Sequence, residues 1–294
     1  MSILRLHNMH KNFAKKHVIK GVDLSIEKGT VLGLLGANGA GKTTLIKTAL
    51  GLLKADQGEA TLFGESSWEL SPQNKQRLGY VSQKMDCFQW MKAQQLLDYV
   101  AAFYHNWDVK KVQALMTTWE IDPKARIDKM SEGQRQRLSI VQALGHSPEL
   151  VIFDEPVASL DPSARRLFIK QLIDMNADQA TSIVFSTHIT SDIERVAADV
   201  AFLQDGKVRY HGGIDELKEQ VVRLHIQGNT DLTPLVNNKD ILNQQFSGKQ
   251  GRITVQGFDS AQIAQLQHQL NASIKIETLS LEDIFLELNT CTLI

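Results

Sequence analysis

The sequence has few cysteines and no long apolar run, and both absences exclude classes of protein. Its 294 residues include two cysteines, Cys87 and Cys291, whose spacing fits neither a metal site nor a redox motif. No disulfide framework is therefore implied. No stretch approaches the roughly 18 consecutive apolar residues of a membrane-spanning helix. The opening MSILRLHNMHKNF holds no apolar core of signal-peptide length, so we expect a cytoplasmic protein.

The chain also lacks an excess of either charge. It has 32 Lys and Arg residues against 33 Asp and Glu residues, a formal net charge of −1. This balance gives no support for a nucleic-acid partner, which usually requires a basic patch. The lysines at positions 11, 15, 16 and 20 are a small cluster that we interpret as part of a solvated loop or strand edge. The length predicts one large or two modest domains.

A phosphate-binding loop is the strongest signal in the sequence. The apolar run Val31–Leu35 predicts a buried strand, and LIKTAL at 45–50 predicts a helix. Between them, GANGAGKT matches G-x-x-x-x-G-K-[ST] in full. Glycines let successive N–H groups turn inward around anionic oxygens, and the helix N-terminus adds donors and a positive dipole end. We predict binding of ATP or GTP, with Lys42 on the β- and γ-phosphates and Thr43 on Mg²⁺.

Three further strand ends carry candidate polar residues. The run Leu150–Phe153 predicts a buried parallel strand that ends in Asp154 and Glu155. Open α/β sheets bind ligands at such carboxyl ends, where Asp154 would support Mg²⁺ and Glu155 would orient or deprotonate water. TSIVFSTH ends in His188, and the short strand GYVSQ ends in Gln83. Taken singly, His188 and Gln83 are uninformative.

The segment KMSEGQRQRLSI at 129–140 predicts the start of a helix. Ser131 and Gln134 have the S-x-x-E/Q spacing of a capping box. The phosphate loop, Gln83, S-E-G-Q, the Asp-Glu strand end, ASLDP at 158–162 and His188 follow in a fixed order. That order resembles the ATP-binding cassette (ABC) family of transporter ATPases over about residues 2–220.

The resemblance implies a fold and a domain organisation. The fold would be α/β, a P-loop NTPase cassette with a mixed sheet core, a helical subdomain at about 84–147 and a small C-terminal α+β appendage. Residues 1–220 would form the ATP-binding domain and residues 221–294 the accessory domain. In the accessory domain, VRLHIQG and GRITVQG alternate like strands, while SAQIAQLQHQL and SLEDIFLEL predict helices.

The resemblance also implies roles for individual residues. Glu155, His188, Lys42 and Gln83 would be catalytic, and Thr43, Gln83 and Asp154 would hold Mg²⁺. The ATP-binding residues would be Phe13 (stacked on adenine), Gly36, Asn38, Gly39, Ala40, Gly41, Lys42, Thr43 and Thr44, together with Ser131, Gly133 and Gln134. The last three belong to the family's signature motif, which faces the ATP held by the other protomer.

Two residues depart from the family's usual L-S-G-G-Q signature. Met130 replaces leucine, which changes little, and Glu132 replaces the first glycine. A carboxylate beside a triphosphate repels it unless the side chain points to solvent or a cation. We hypothesise that Glu132 points away and that the site stays competent.

The resemblance implies partners as well. Such a subunit pairs with itself or a paralogue and works with separate membrane permease subunits at the inner face of the cell membrane. The ending SLEDIFLEL resembles subunits that serve export-type (ABC-2-like) permeases. Two alternatives remain: a soluble ABC-type ATPase of translation control or DNA maintenance, and a generic P-loop kinase or GTPase, which would need neither S-x-G-Q nor His188.

Overall fold

The structure is a computed structural model that describes residues 2–14, 16–85, 88–179, 181–232 and 240–290. Cys87, Cys291 and Lys15 lie outside these ranges. The chain divides into two compact units, Met1–His211 and Gly212–Ile294. Within the described ranges, no helix is long and apolar enough to cross a membrane.

The first unit combines two sheets with seven α-helices among its described residues. The strands are β1 (Ser2–Phe13), β2 (Lys16–Glu27), β3 (Val31–Leu35), β4 (Gln57–Leu62), β5 (Glu65–Ser66), β6 (Leu78–Val81), β7 (Leu150–Asp154), β8 (Ser182–Thr187), β9 (Asp199–Gln204) and β10 (Lys207–Gly213). The helices are α1 (Lys42–Ala49), α2 (Pro72–Lys75), α3 (Ala93–Ala101), α4 (Val109–Thr118), α5 (Glu132–Leu144), α6 (Pro162–Gln179) and α7 (Thr190–Val196).

The larger sheet brings the candidate site residues together at the carboxyl ends of its parallel strands. Its order is β10-β9-β3-β8-β7-β6, and β6, β7, β8, β3 and β9 pair in parallel. The antiparallel sheet has the order β2-β1-β4-β5. Strands β3 and β7 are buried at every residue, as their continuous apolar runs predict. One core joins buried side chains of β1, β2, α1, β3 and β7, which fixes the phosphate loop between β3 and α1.

A tight hairpin follows β9, where Asp-Gly between two apolar runs is a typical turn signal. Asp205 and Gly206 join β9 to β10 with φ of 49° and 78°. Both central residues of a type I′ turn need positive φ, which asparagine, aspartate and glycine tolerate best. The helices α3, α4 and α5 fall within the predicted helical region.

The second unit is a small α+β domain. It contains α8 (Ile214–Gln220), β11 (Val221–Gly228), β12 (Ile241–Ser247), β13 (Gln250–Gln256), α9 (Ser260–Leu270), β14 (Ala272–Thr278) and α10 (Leu281–Thr290). Its sheet has the order β12-β13-β11-β14, and every pair is antiparallel. Ser280 caps α10, since its Oγ accepts from the Asp283 N–H at 3.1 Å.

Candidate active site

The glycines of the loop between β3 and α1 meet requirements that a larger residue would not. Gly41, the N-cap of α1, has φ of 108°, in the left-handed region that favours glycine. A Cβ at Gly36 would lie 2.6 Å from the backbone oxygen of Leu203. The loop can therefore approach β9 and turn sharply into the helix only with glycine at these positions.

Lys42 is held inside the loop. Its side chain is 6% exposed, and Nζ donates to the Gly36 carbonyl at 2.6 Å and to the Ala37 carbonyl at 3.3 Å. Nζ also lies 2.9 Å from Glu155 Oε1. This contact with Glu155 is a buried salt bridge. The loop thus surrounds one buried cation.

The acidic strand end is equally buried. Asp154 is the last residue of β7, Glu155 follows it, and the two are 0% and 6% exposed. Ser186 of β8 is the register partner of Asp154. Its Oγ donates to Asp154 Oδ1 at 2.8 Å and accepts from the Glu155 N–H at 2.9 Å. Ser186 positions both acids and was not predicted; the available signal was a serine directly after the apolar run Ile183–Phe185.

Asp154 is suited to hold a divalent cation. Burial raises the pKa of its carboxyl, and the hydroxyls of Thr43 and Ser186 oppose that shift. Its Oδ2 is buried and has no hydrogen-bond partner among the described residues. A buried oxygen that lacks a partner, beside a threonine hydroxyl, offers the hard ligands that Mg²⁺ prefers. No group of three or more His, Cys, Asp or Glu side chains that could hold a metal occurs among the described residues, at this site or elsewhere.

His188 joins the same carboxylate from the other side. It follows β8, and its Nδ1 lies 3.1 Å from Glu155 Oε2. The imidazole is 45% exposed, whereas the Glu155 side chain is 7% exposed. Glu155 therefore bridges a buried ammonium and a ring that reaches solvent.

A cavity of about 450 Å³ opens beside these groups. Its lining residues are Phe13, Lys16, Val18, Asn38, Gly39, Gly41, Lys42, Thr43, Thr44, Gln83 and Glu155. The structure thus brings the predicted Phe13, the loop and Gln83 to one cavity. Gly36 and Ala40 support the loop without lining the cavity. Lys16 and Val18 were not predicted, and placing Lys16 in a solvated cluster missed that it lines this cavity.

The segment 131–134 lies apart from this cavity. The capping box is present: the Gln134 N–H donates to Ser131 Oγ at 3.2 Å, and the Ser131 N–H donates to Gln134 Oε1 at 2.9 Å. Ser131 and Gln134 are exposed at the start of α5. A Cβ at Gly133 would lie 2.7 Å from the Ser159 carbonyl oxygen. Glu132 is exposed and borders a small hollow of about 170 Å³ with Gln83.

Comparison with known proteins decides the family. A family model described as ABC transporter matches residues 19–158. The ABC transporter ATP-binding protein YtrB of Bacillus subtilis is 30% identical over 239 residues, which cover 81% of this chain and 82% of the relative. The chain belongs to the ABC transporter ATP-binding family. As a member it is an ATPase that binds ATP, and the predicted fold class is confirmed.

Other relatives extend the match. NatA of B. subtilis, an ABC transporter ATP-binding protein, is 32% identical over 214 residues, covering 70% of this chain and 87% of NatA. The uncharacterized ABC transporter ATP-binding protein YhaQ of B. subtilis is 29% identical over 300 residues, covering 97% of this chain and 98% of YhaQ. The match with YhaQ includes the second unit. The non-transporter alternatives are not favoured by these relatives.

Solved structures agree on the fold. An ATP-binding subunit of an ABC transporter superposes with a TM-score of 0.68 at 24% identity, covering 74% of this chain and 92% of that one. A dimeric cassette in a post-hydrolysis state, bound to ADP and Pi, gives 0.65 at 20% identity, covering 72% of this chain and 98% of that one.

Proposed function

We propose that the chain is the ATP-hydrolysing subunit of an ABC exporter and that ATP-driven closure of a subunit pair moves a separate membrane permease. The observation that carries the hydrolytic part is the buried Glu155 carboxylate, which contacts Lys42 at 2.9 Å and His188 at 3.1 Å beside a 450 Å³ cavity. Family membership supplies the nucleotide.

In this proposal the loop residues bind the triphosphate. Backbone N–H groups from Gly36 to Thr44 would surround its oxygens, with Asn38, Gly39, Ala40 and Gly41 forming the turn. Lys42 would move from the Gly36 carbonyl to the β- and γ-phosphates. Phe13 would stack on adenine; its ring is 46% exposed at the cavity, with Lys11 Nζ 5.5 Å from its centroid.

Glu155 would act as general base. It would accept a proton from the water that attacks the γ-phosphorus, while the bond to the β–γ bridging oxygen breaks and ADP leaves. His188 would donate to the γ-phosphate and hold the Glu155 carboxylate in place. Mg²⁺ bound by Thr43, Asp154 and Gln83 would neutralise developing phosphate charge.

Two copies would share each nucleotide. Ser131, Gly133 and Gln134 lie outside the chain's own cavity, and their exposed helix start offers N–H donors and a positive dipole end to a partner's γ-phosphate. The dimeric cassette among the similar structures supports this arrangement. The partner would be a second copy or a paralogue.

A sizing-column experiment tests hydrolysis and pairing together. Glu155→Gln with ATP and Mg²⁺ should elute as a nucleotide-bound dimer, because binding is kept while hydrolysis is blocked. The same variant with ADP should elute as a monomer. Adding Ser131→Arg to Glu155→Gln should abolish the dimer by placing a bulky side chain at the shared site. A Glu155→Gln protein that binds ATP and stays monomeric would refute the pairing.

Permease coupling is supported by a row of exposed aromatic rings just after Gln83. The ring centroid of Phe88 lies 5.8 Å from that of Trp90 and 5.3 Å from that of Tyr99. The ring centroids of Tyr99 and Phe103 are 5.3 Å apart. Trp90, Tyr99 and Phe103 are 67%, 44% and 61% exposed. Clustered exposed aromatics are frequent anchors of protein interfaces. The export direction relies on SLEDIFLEL, which forms α10.

Where a neighbouring gene encodes a membrane protein, co-expression with that protein tests this surface and tests whether the subunit is recovered with the membrane. Trp90→Ala with Phe103→Ala should release the chain from the membrane fraction and leave ATP binding intact. Trp68→Ala is the matched control, because Trp68 is 53% exposed outside the row. Equal membrane recovery for all three proteins would refute the assignment.

A further inference from the structure

The sheet of the second unit has one face built of aligned polar rows. Paired register places four residues in a line across the sheet: Gln245, Arg252, His225 and Lys275. The next line contains Ser247, Gln250, Gln227 and Ser273. All eight side chains are exposed, and they line a groove of about 690 Å³. No aspartate or glutamate lines it.

This face is not needed for the unit's core. Alternate residues of the same strands point to the opposite face, where Leu224, Ile226, Ile253 and Val255 form a buried cluster with Leu266 of α9. A strand that buries one face leaves the other free to vary. A solvated face is ordinarily polar, so what distinguishes this one is the arrangement of its charged side chains.

The neighbouring row shows how the unit neutralises a cation when it only needs stability. Arg223 donates to Glu287 of α10 at 2.9 Å and lies 3.4 Å from Glu277, and Asn243 donates to Glu287 at 2.7 Å. These contacts neutralise Arg223 and satisfy the Glu287 carboxylate. The cation of that row is thus neutralised by carboxylates of the same unit.

The two cations of the row in the groove are not neutralised in this way. Arg252 donates to the neutral Gln245 at 2.8 Å, and Lys275 has no carboxylate partner among the described residues. His225 lies between them and contacts Glu277 at 2.7 Å. Arg252 and Lys275 therefore bring two positive charges to the groove, and neither has a carboxylate partner among the described residues.

Protection of sheet edges does not explain the row. Proteins place lysines on edge strands to prevent pairing with other chains, which would account for Lys275 on β14. Arg252 and His225 lie on β13 and β11, which are the two central strands. The positive charge of Arg252 therefore protects no sheet edge.

We propose that this groove binds a phosphate-bearing polyanion. Arg252 and Lys275 lie two strand spacings apart, about 10 Å, so one small anion would meet only one of them. A ligand with several phosphate groups would reach both, the guanidinium fork matching phosphate oxygens. The amides and hydroxyls of the second row add donors alongside. The proposal stands apart from the ATPase site and does not rely on it.

Calorimetry with sodium tripolyphosphate tests the groove. The full-length chain would carry Lys42→Ala, so that tripolyphosphate binding at the phosphate loop does not contribute to the measured heat. We expect one binding event, weakened about tenfold or more by Arg252→Gln or Lys275→Gln, since each removes a charge-assisted hydrogen bond. Lys249→Gln, an exposed lysine of the same unit outside the groove, should leave the affinity unchanged.

Vesicle flotation separates the two sources of phosphate. Tripolyphosphate binding that depends on Arg252 and Lys275 identifies a free polyanion. Flotation with phosphatidylglycerol vesicles and not phosphatidylcholine vesicles, lost in the double variant, identifies lipid headgroups instead. If neither probe binds, or if the double variant binds as well as its parent, the face is merely solvated and the proposal fails.

Discussion

Substitution of the buried Glu155 should destabilise the nucleotide-free protein, because Glu155 is paired with the buried Lys42. Glu155→Gln keeps the side chain's volume and removes its charge. The Lys42 ammonium, 6% exposed, would then have only carbonyl and amide oxygens around it. Removing one partner of a buried ion pair costs about 3–5 kcal/mol. We expect the free energy of unfolding to fall by about 3 kcal/mol, the low end of this range, because the Gly36 and Ala37 carbonyls remain as partners of Lys42.

Differential scanning calorimetry measures this loss. For a unit of this size, each kcal/mol shifts the melting temperature by about 2–4 °C, so the first unit should melt about 6–12 °C lower. Bound ATP brings negative phosphates to Lys42, so saturating ATP should raise the Tm of Glu155→Gln more than that of the wild type. Glu132→Gln, which neutralises an exposed carboxylate, is the control and should change stability by less than about 0.5 kcal/mol.

A double-mutant cycle decides whether the cause is the pairing. In the Lys42→Met background, Glu155→Gln should cost nothing, because no buried ammonium is left to compensate. Without nucleotide, equal melting temperatures for Glu155→Gln and the wild type would rule out a stabilising ion pair. So would a loss of stability from Glu155→Gln that is as large in the Lys42→Met background as in the wild type.

Four further predictions concern other sites. His146 is 1% exposed, and burial lowers its pKa to about 4, so on acidification the unfolded chain takes up a proton before the folded chain does. The free energy of unfolding should therefore fall by about 3 kcal/mol as the pH falls from about 6.5 to 4. Denaturant titrations measure this dependence on pH, and His146→Phe should flatten it. Arg165→Ala should cost about 3 kcal/mol by urea unfolding, because it leaves the Asp192 carboxylate, 3% exposed and 2.7 Å from the guanidinium, buried and unpaired. Phe13→Ala should weaken ATP binding about tenfold in calorimetry and leave inorganic tripolyphosphate binding at the loop unchanged; an equal loss for both would contradict stacking. Glu132→Gly should leave the ATPase rate of the assembled transporter within about threefold if the glutamate points away, and a large rise would show that it weakens the natural site.

The elements that depend on neighbours along the chain were predictable. The strand β3, the glycine turn and α1 each follow from residues within one short segment, and so do the Ser131 capping box and the Asp205–Gly206 turn. In each case the physical cause, a backbone angle or a side chain bonding the backbone nearby, acts over a few residues. Sequence alone therefore identifies them.

Contacts set by sheet order were not predictable. Ser186 reaches Asp154 because β7 and β8 pair in one register, and Lys16 joins the cavity because β2 passes near the phosphate loop. The cationic row of the second unit exists only for the order β12-β13-β11-β14. Strand order depends on packing across the whole unit, and one sequence offers many orders with similar local patterns.

The space around residues 131–134, the predicted signature segment, differs between Gly133 and Glu132. Gly133 is confined by the Ser159 carbonyl, 2.7 Å from where a Cβ would lie, so any side chain there would displace backbone. Glu132 is exposed and is the first residue of α5, where a carboxylate favours the positive end of the helix dipole. The glutamate thus stabilises its own helix start. The departure from the family pattern falls at the position where the fold leaves room for a side chain.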